Sequence, residues 1–218
     1  MIIERLNIPS DGFNVPAVIL KNRENAGAVV IVHGYGGCKE EMTGLAWRIA
    51  EKGLAVCTID LRGHGEHELQ LDEDMILDAD AAVDYCRSFG KVFAIGHSLG
   101  GRIALLSKAD GVMAISPALQ KKFSDQTMGL IKIMRGYRVR EAKKIFDLLN
   151  IIPEHDFNKK RFESIIYGER DIPEIKKACE ELKSKGVETI EIEKAYHGDI
   201  FLLENTFHRI FKRMEEFF

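Results

Sequence analysis

Val92-Phe93-Ala94-Ile95-Gly96-His97-Ser98-Leu99-Gly100-Gly101 is the stretch from which the rest of the chain can be read. Its first four residues form the β-branched and aromatic run of a buried strand, and residues 102–108 read as helix, so Ser98 sits at a strand-to-helix corner. A serine at such a corner needs a strained backbone, with glycines two residues either side so that strand and helix approach without a Cβ clash. Gly96, Gly100 and Gly101 supply that room. In a chain with 19 glycines, chance places a G-x-S-x-G string about 0.06 times. Ser98 is therefore a candidate nucleophile.

Working outward, strand-like segments at 28–32, 54–59, 91–95 and 111–115 alternate with helix-like segments at 40–52, 72–89 and 100–109. The alternation resumes with strand 162–167, helix 172–185, strand 188–193 and a terminal helix over about 199–218. Two extended segments, 2–8 and 15–21, open the chain around the turn-like Pro9-Ser10-Asp11-Gly12 and read as an antiparallel hairpin. The class is α/β: a mostly parallel sheet of about eight strands with helices on both faces.

Residues 118–160 interrupt this order with a helical pattern and no strand, so the core is expected over 1–117 and 161–218, with 118–160 a small helical cap. An insertion at the carboxyl ends of the strands lies over the site they build. Its apolar residues Met128, Leu130, Ile131, Ile133, Met134, Ile145, Phe146, Leu148 and Leu149 recur near helical spacing, and most are expected to pack. Residues 118–161 carry eleven Lys and Arg against five Asp and Glu, leaving that segment at +6 and the remainder at −9. These charges read as a solvated face, with recognition of an anionic substrate as the sharper alternative.

At 218 residues and 45% hydrophobic content, the chain can bury one substantial core. A net charge of −3 argues against a dedicated nucleic-acid binder. The longest apolar runs, such as 28–32, are far too short for a bilayer, and the first residues lack a leader pattern, so a cytoplasmic protein without integral membrane association is expected. Cys38, Cys57, Cys86 and Cys179 show no C-x-x-C pairing and read as reduced, mostly buried thiols.

A serine needs a general base, and the base needs a group that holds its tautomer. Of seven histidines, His197 in Ala195-Tyr196-His197-Gly198-Asp199 follows the last strand, where it can face the carboxyl end of the sheet. His97 must point elsewhere from the corner, His155 lies in the insertion and His208 inside the terminal helix. The acid is expected at a strand end between Ser98 and His197: Asp171 in Gly168-Glu169-Arg170-Asp171 fits, with Glu169 its rival and helix capping its bland role. Acyl transfer also requires oxyanion donors. The Leu99 amide is one, and the glycine-rich His33-Gly34-Tyr35-Gly36-Gly37 makes the Tyr35 amide the other.

At these residues the chain resembles the α/β-hydrolase superfamily, and within it small carboxylesterases, monoglyceride lipases and serine aminopeptidases. The resemblance rests on His33-Gly34, Asp60-Leu61-Arg62-Gly63-His64-Gly65, the Ser98 corner, the Gly168–Asp171 motif and the His197 motif, in the family's order. It implies an α/β-hydrolase fold and an acyl-enzyme on Ser98 deacylated by water that His197 activates, with no cofactor or metal; a core of roughly 200 residues under a short cap points to a small to medium carboxylic ester as substrate. A peptidase or acyl-thioesterase would use the same triad, and a hydrolase-fold binding protein would retain the residues without turnover. Two decoys carry less: the G-x-G-G of the 33–37 loop lacks the third glycine of a dinucleotide fingerprint, and His64 and His67 have no third ligand at zinc-site spacing.

Overall fold

The computed structural model describes residues 1–10, 12–157 and 161–218. Asp11 of the expected turn, and the last three residues of the expected cap with the lysines at 159 and 160, lie outside them. Eight strands form one sheet: β1 (Ile2–Ser10), β2 (Phe13–Lys21), β3 (Ala28–Val32), β4 (Ala55–Ile59), β5 (Val92–His97), β6 (Gly111–Ile115), β7 (Phe162–Arg170) and β8 (Thr189–Tyr196). Their order is β1-β2-β4-β3-β5-β6-β7-β8. The β1–β2 and β2–β4 pairs are antiparallel, and the rest are parallel.

The apolar runs explain the centre. Every residue of β3, β4, β5 and β6 is buried, as strands covered on both faces must be. The helices are α1 (Thr43–Ala50), α2 (Met75–Cys86), α3 (Leu99–Leu106), α4 (Asp125–Arg135), α5 (Ile145–Ile151), α6 (Pro173–Ser184) and α7 (Glu204–Phe217). Val29 and Ile31 belong to the core layer of Leu45 and Ile49 of α1 and Phe207 and Ile210 of α7, while the alternate residues Val30 and Val32 belong to the opposite layer, under α2 and α3. Each such Val, Leu or Ile contributes about 1.5–3 kcal/mol when fully buried.

Three differences from the sequence reading matter for the site. Strands β5, β7 and β8 each run two to three residues beyond the expected ends, so that Ser98, Asp171 and His197 are each the first residue after a strand. Gly96 and the charged Glu169, Arg170 and Lys194 had masked those ends, yet β7 and β8 still pair at Arg170 and Tyr196 beyond an irregularity at Gly168. The expected 40–52 helix begins instead as a 3-10 turn, Lys39–Met42. Within the insertion, Ile145, Leu148 and Leu149 of α5 are buried as expected, whereas no residue of α4 is.

Candidate active site

Ser98 adopts φ 55° and ψ −117°, a region that L-residues avoid. Surrounding hydrogen bonds hold it there: its N–H donates to the Ile115 carbonyl at 2.9 Å, and its own carbonyl accepts from Gly101, Arg102 and Ala118. Such a conformation costs roughly 1–3 kcal/mol and persists only where the surroundings over-determine it. The flanking glycines are needed for approach: a Cβ on Gly96 would strike the Gly100 carbonyl, and one on Gly100 would strike those of Val32 and His33.

His197 Nε2 lies 3.0 Å from Ser98 Oγ, and its Nδ1 lies 2.7 Å from Asp171 Oδ1. With Asp171 ionised, Nδ1–H donates to the carboxylate and the bare Nε2 accepts from the serine hydroxyl. Burial alone would push the Asp171 carboxyl up, but hydrogen bonds from His197, the Ser116 hydroxyl and the Gly168 amide outweigh it and hold the group below its ordinary value. Glu169 is turned away, accepting the Lys194 N–H at 2.7 Å where β8 passes through a left-handed residue. Asp171 accepts from the Ile172 amide, yet α6 begins without a side-chain cap, so helix capping does not account for it.

Gly34 sits against Ser98, close enough that a Cβ there would lie 3.1 Å from that of the serine. Among the described residues the amides of Tyr35 and Leu99 have no acceptor, and both residues line the cavity above Ser98. That cavity, of about 120 Å³, is roofed by Phe123 and Ile131 with Ile145, Phe146 and Leu149 of the insertion. His33 orders the loop from beneath: its Nε2 accepts from the Leu61 amide, so its Nδ1–H donates to the Gly34 carbonyl.

Two supporting residues were given no role from the sequence. Ser116, left-handed at φ 48° and fully buried, anchors the second Asp171 oxygen. Its signal was a polar residue at a strand end, in Ile115-Ser116-Pro117. His97 does point away from the serine: its Nε2–H donates to the His197 carbonyl at 2.8 Å, and burial pushes its pKa down to about 3. It therefore stays neutral while it steadies the His197 loop. His64 and His67 are buried in the 63–69 loop, where their Nδ1 atoms engage Arg62 and Leu69.

A family model described as Serine aminopeptidase, S33 matches residues 23–155, more than half of the chain. The chain belongs to this family. It is 36% identical over 107 residues to Ethanol acetyltransferase 1 of Wickerhamomyces anomalus, covering 47% of this chain and 26% of that protein. It is 29% identical over 178 residues to Esterase EstD of Thermotoga maritima, covering 71% of this chain and 43% of that protein. The chain thus spans between about a quarter and about half the length of the curated relatives it matches. The solved esterase of Pyrococcus furiosus superposes with a TM-score of 0.73 at 18% identity over 98% of this chain and 91% of that one. The fold is the α/β-hydrolase fold.

Proposed function

We propose that the protein is a serine hydrolase of small to medium carboxylic esters. The observation that carries this reading is the Ser98–His197–Asp171 hydrogen-bonded chain opening on an apolar cavity. Ser98 Oγ attacks the ester carbonyl carbon as its proton passes to His197 Nε2, and Asp171 stabilises the imidazolium. The new oxyanion takes hydrogen bonds from the Tyr35 and Leu99 amides. Collapse breaks the bond to the alcohol oxygen, which leaves with the proton from Nε2. Water, deprotonated by the same nitrogen, then attacks the acyl-enzyme and releases the acid, restoring Ser98.

Esters are favoured over aminopeptide substrates by charge. A free α-amino group needs a carboxylate partner, but Glu41 in the cavity wall is paired with Arg138 and lies 3.8 Å from Arg135. Glu174, at the outer groove, accepts from Ser124 and Thr127. The cavity of about 120 Å³ is below the roughly 300–1,000 Å³ of drug-sized sites, which favours short acyl groups. The acidic overall balance fits a small-molecule partner in place of nucleic acid. Three of the four free thiols, Cys57, Cys86 and Cys179, are buried, which supports a reducing, cytoplasmic setting; no helix among the described residues is long and apolar enough to cross a membrane.

A fluorophosphonate probe should label Ser98, and p-nitrophenyl esters of graded chain length should be hydrolysed far faster than aminoacyl p-nitroanilides. Ser98→Ala should fold and lose about a million-fold in kcat. More than about a tenth of the activity left in that variant would remove Ser98 from the nucleophile role, and faster anilide cleavage would make the protein a peptidase.

A further inference from the structure

Helix α4 presents its apolar side to solvent. None of its residues is buried; Ile131 and Arg135 face inward, while Leu130, Ile133 and Met134 form an outward stripe that continues to Tyr137. Ile133 is 77% exposed and Tyr137 81%. A surface helix ordinarily does the reverse. The surrounding segment is strongly basic: from Lys121 to Lys144 there are eight Lys and Arg against two Asp and Glu. The core and insertion engage part of that charge, since Arg135 and Arg138 face Glu41, Lys121 pairs with Glu154, Lys144 with Glu141, and Arg140 spans carbonyls of the 63–69 loop. Among the described residues Lys122, Lys132 and Lys143 have no acidic partner, and Lys132 rests its ammonium over the Phe146 ring.

We infer that this face docks the protein on an anionic lipid–water interface. Apolar side chains interleaved with lysine and arginine are what such a surface holds, the first in the acyl boundary and the second against the headgroups. A second copy of the chain fits poorly: it would set one basic segment against another, and four side chains fall well short of the roughly 800 Å² per partner of a stable interface. The groove beside α4 gives the docking a consequence. About 690 Å³ in volume, it runs between Leu130 and Met134 on one side and Ile172 and Pro173 on the other, and it reaches His197. An ester held in the lipid layer enters from the docked face. That second step rests on the esterase reading, whereas the docking does not.

The test separates the two. The Ser98→Ala protein is sedimented with vesicles of equal parts phosphatidylglycerol and phosphatidylcholine, and with vesicles of phosphatidylcholine alone. Binding should be at least about tenfold stronger to the anionic vesicles and should weaken several-fold in about 0.5 M salt. Adding Ile133→Ser with Tyr137→Ser, or Lys122→Glu with Lys132→Glu, should each weaken it at least about tenfold. On the Ser98 background, the same double variants should hydrolyse soluble p-nitrophenyl acetate within about twofold of the parent, which shows them folded. Equal binding to both vesicle types, or no loss in folded variants, overturns the docking. So does a concentration-dependent dimer of the parent that Ile133→Ser with Tyr137→Ser abolishes, since it assigns the face to a second copy. Vesicle binding by a parent that cleaves no ester would leave the docking standing and overturn the esterase reading alone.

Discussion

At the scale of single residues, two carboxylates two positions apart have different neighbours. Asp171 meets the His197 ring, the Ser116 hydroxyl and the Gly168 amide; Glu169 meets the Lys194 amide. Asp171→Asn replaces an acceptor with a group that can hold His197 in the other tautomer, so kcat for a soluble ester should fall by roughly ten thousandfold with the fold retained. Glu169→Gln keeps an oxygen for the Lys194 amide and should change kcat by no more than about threefold. Steady-state kinetics of both variants decide the matter, and a reversed order would move the acid to Glu169.

At the scale of elements, the insertion braces the loop that carries Tyr35. The Tyr35 hydroxyl donates to the Ala142 carbonyl at 3.1 Å, and Gly36 is packed against Arg135. An oxyanion donor is useful only when it is held in place before charge develops. Tyr35→Phe removes one hydrogen bond worth about 1 kcal/mol, so kcat should fall up to about fivefold while KM stays nearly constant. Equal changes in both constants would mean that the tyrosine acts in substrate binding. The roof gives a second expectation. Phe146→Ala opens the cavity above Ser98, and the preferred acyl chain in a p-nitrophenyl series should lengthen by about two to four carbons; an unchanged optimum would place the acyl group elsewhere.

At the scale of the whole molecule, buried histidines set the acid limit of stability. Burial lowers the pKa of His33, and takes His64 and His97 down to about 3. Between those values and about 6.5 the unfolded chain binds protons that the native protein refuses, so stability is full above about 6.5 and declines as pH falls. Each such histidine costs about 1.4 kcal/mol per pH unit in that window. Between pH 7 and 5, His64 and His97 together should remove up to about 4 kcal/mol, with His33 adding to the loss in the same direction, against a total stability of about 5–15 kcal/mol. Asp171, with its carboxyl held below the ordinary value, adds its own loss only in stronger acid. Urea unfolding at the two pH values measures this, and coincident midpoints would show that the imidazoles are hydrated in the native state.

What the chain alone determined was local in origin. A buried strand announces itself by a continuous apolar run, and the Ser98 corner by glycines whose absent Cβ atoms are a covalent fact, so the α/β order and the eight strands were legible, with Ser98, Asp171 and His197 as candidates at strand ends. Their distances were not, because residues 98, 171 and 197 meet only when parallel strands align their carboxyl ends. The strand ends at Arg170 and Tyr196 were hidden for the same reason: charged residues lengthen a strand only when a neighbour supplies the pairing. The division of labour between Asp171 and Glu169, the Ser116 support and the turn of His97 toward the His197 carbonyl depend on which side chains face one another across the sheet. The insertion shows the contrast most directly. Apolar spacing is alike in α4 and α5, yet α5 buries Ile145, Leu148 and Leu149 while α4 leaves Leu130, Ile133 and Met134 in water. Periodicity states which residues share a face of a helix; only the packed structure decides whether that face meets the core.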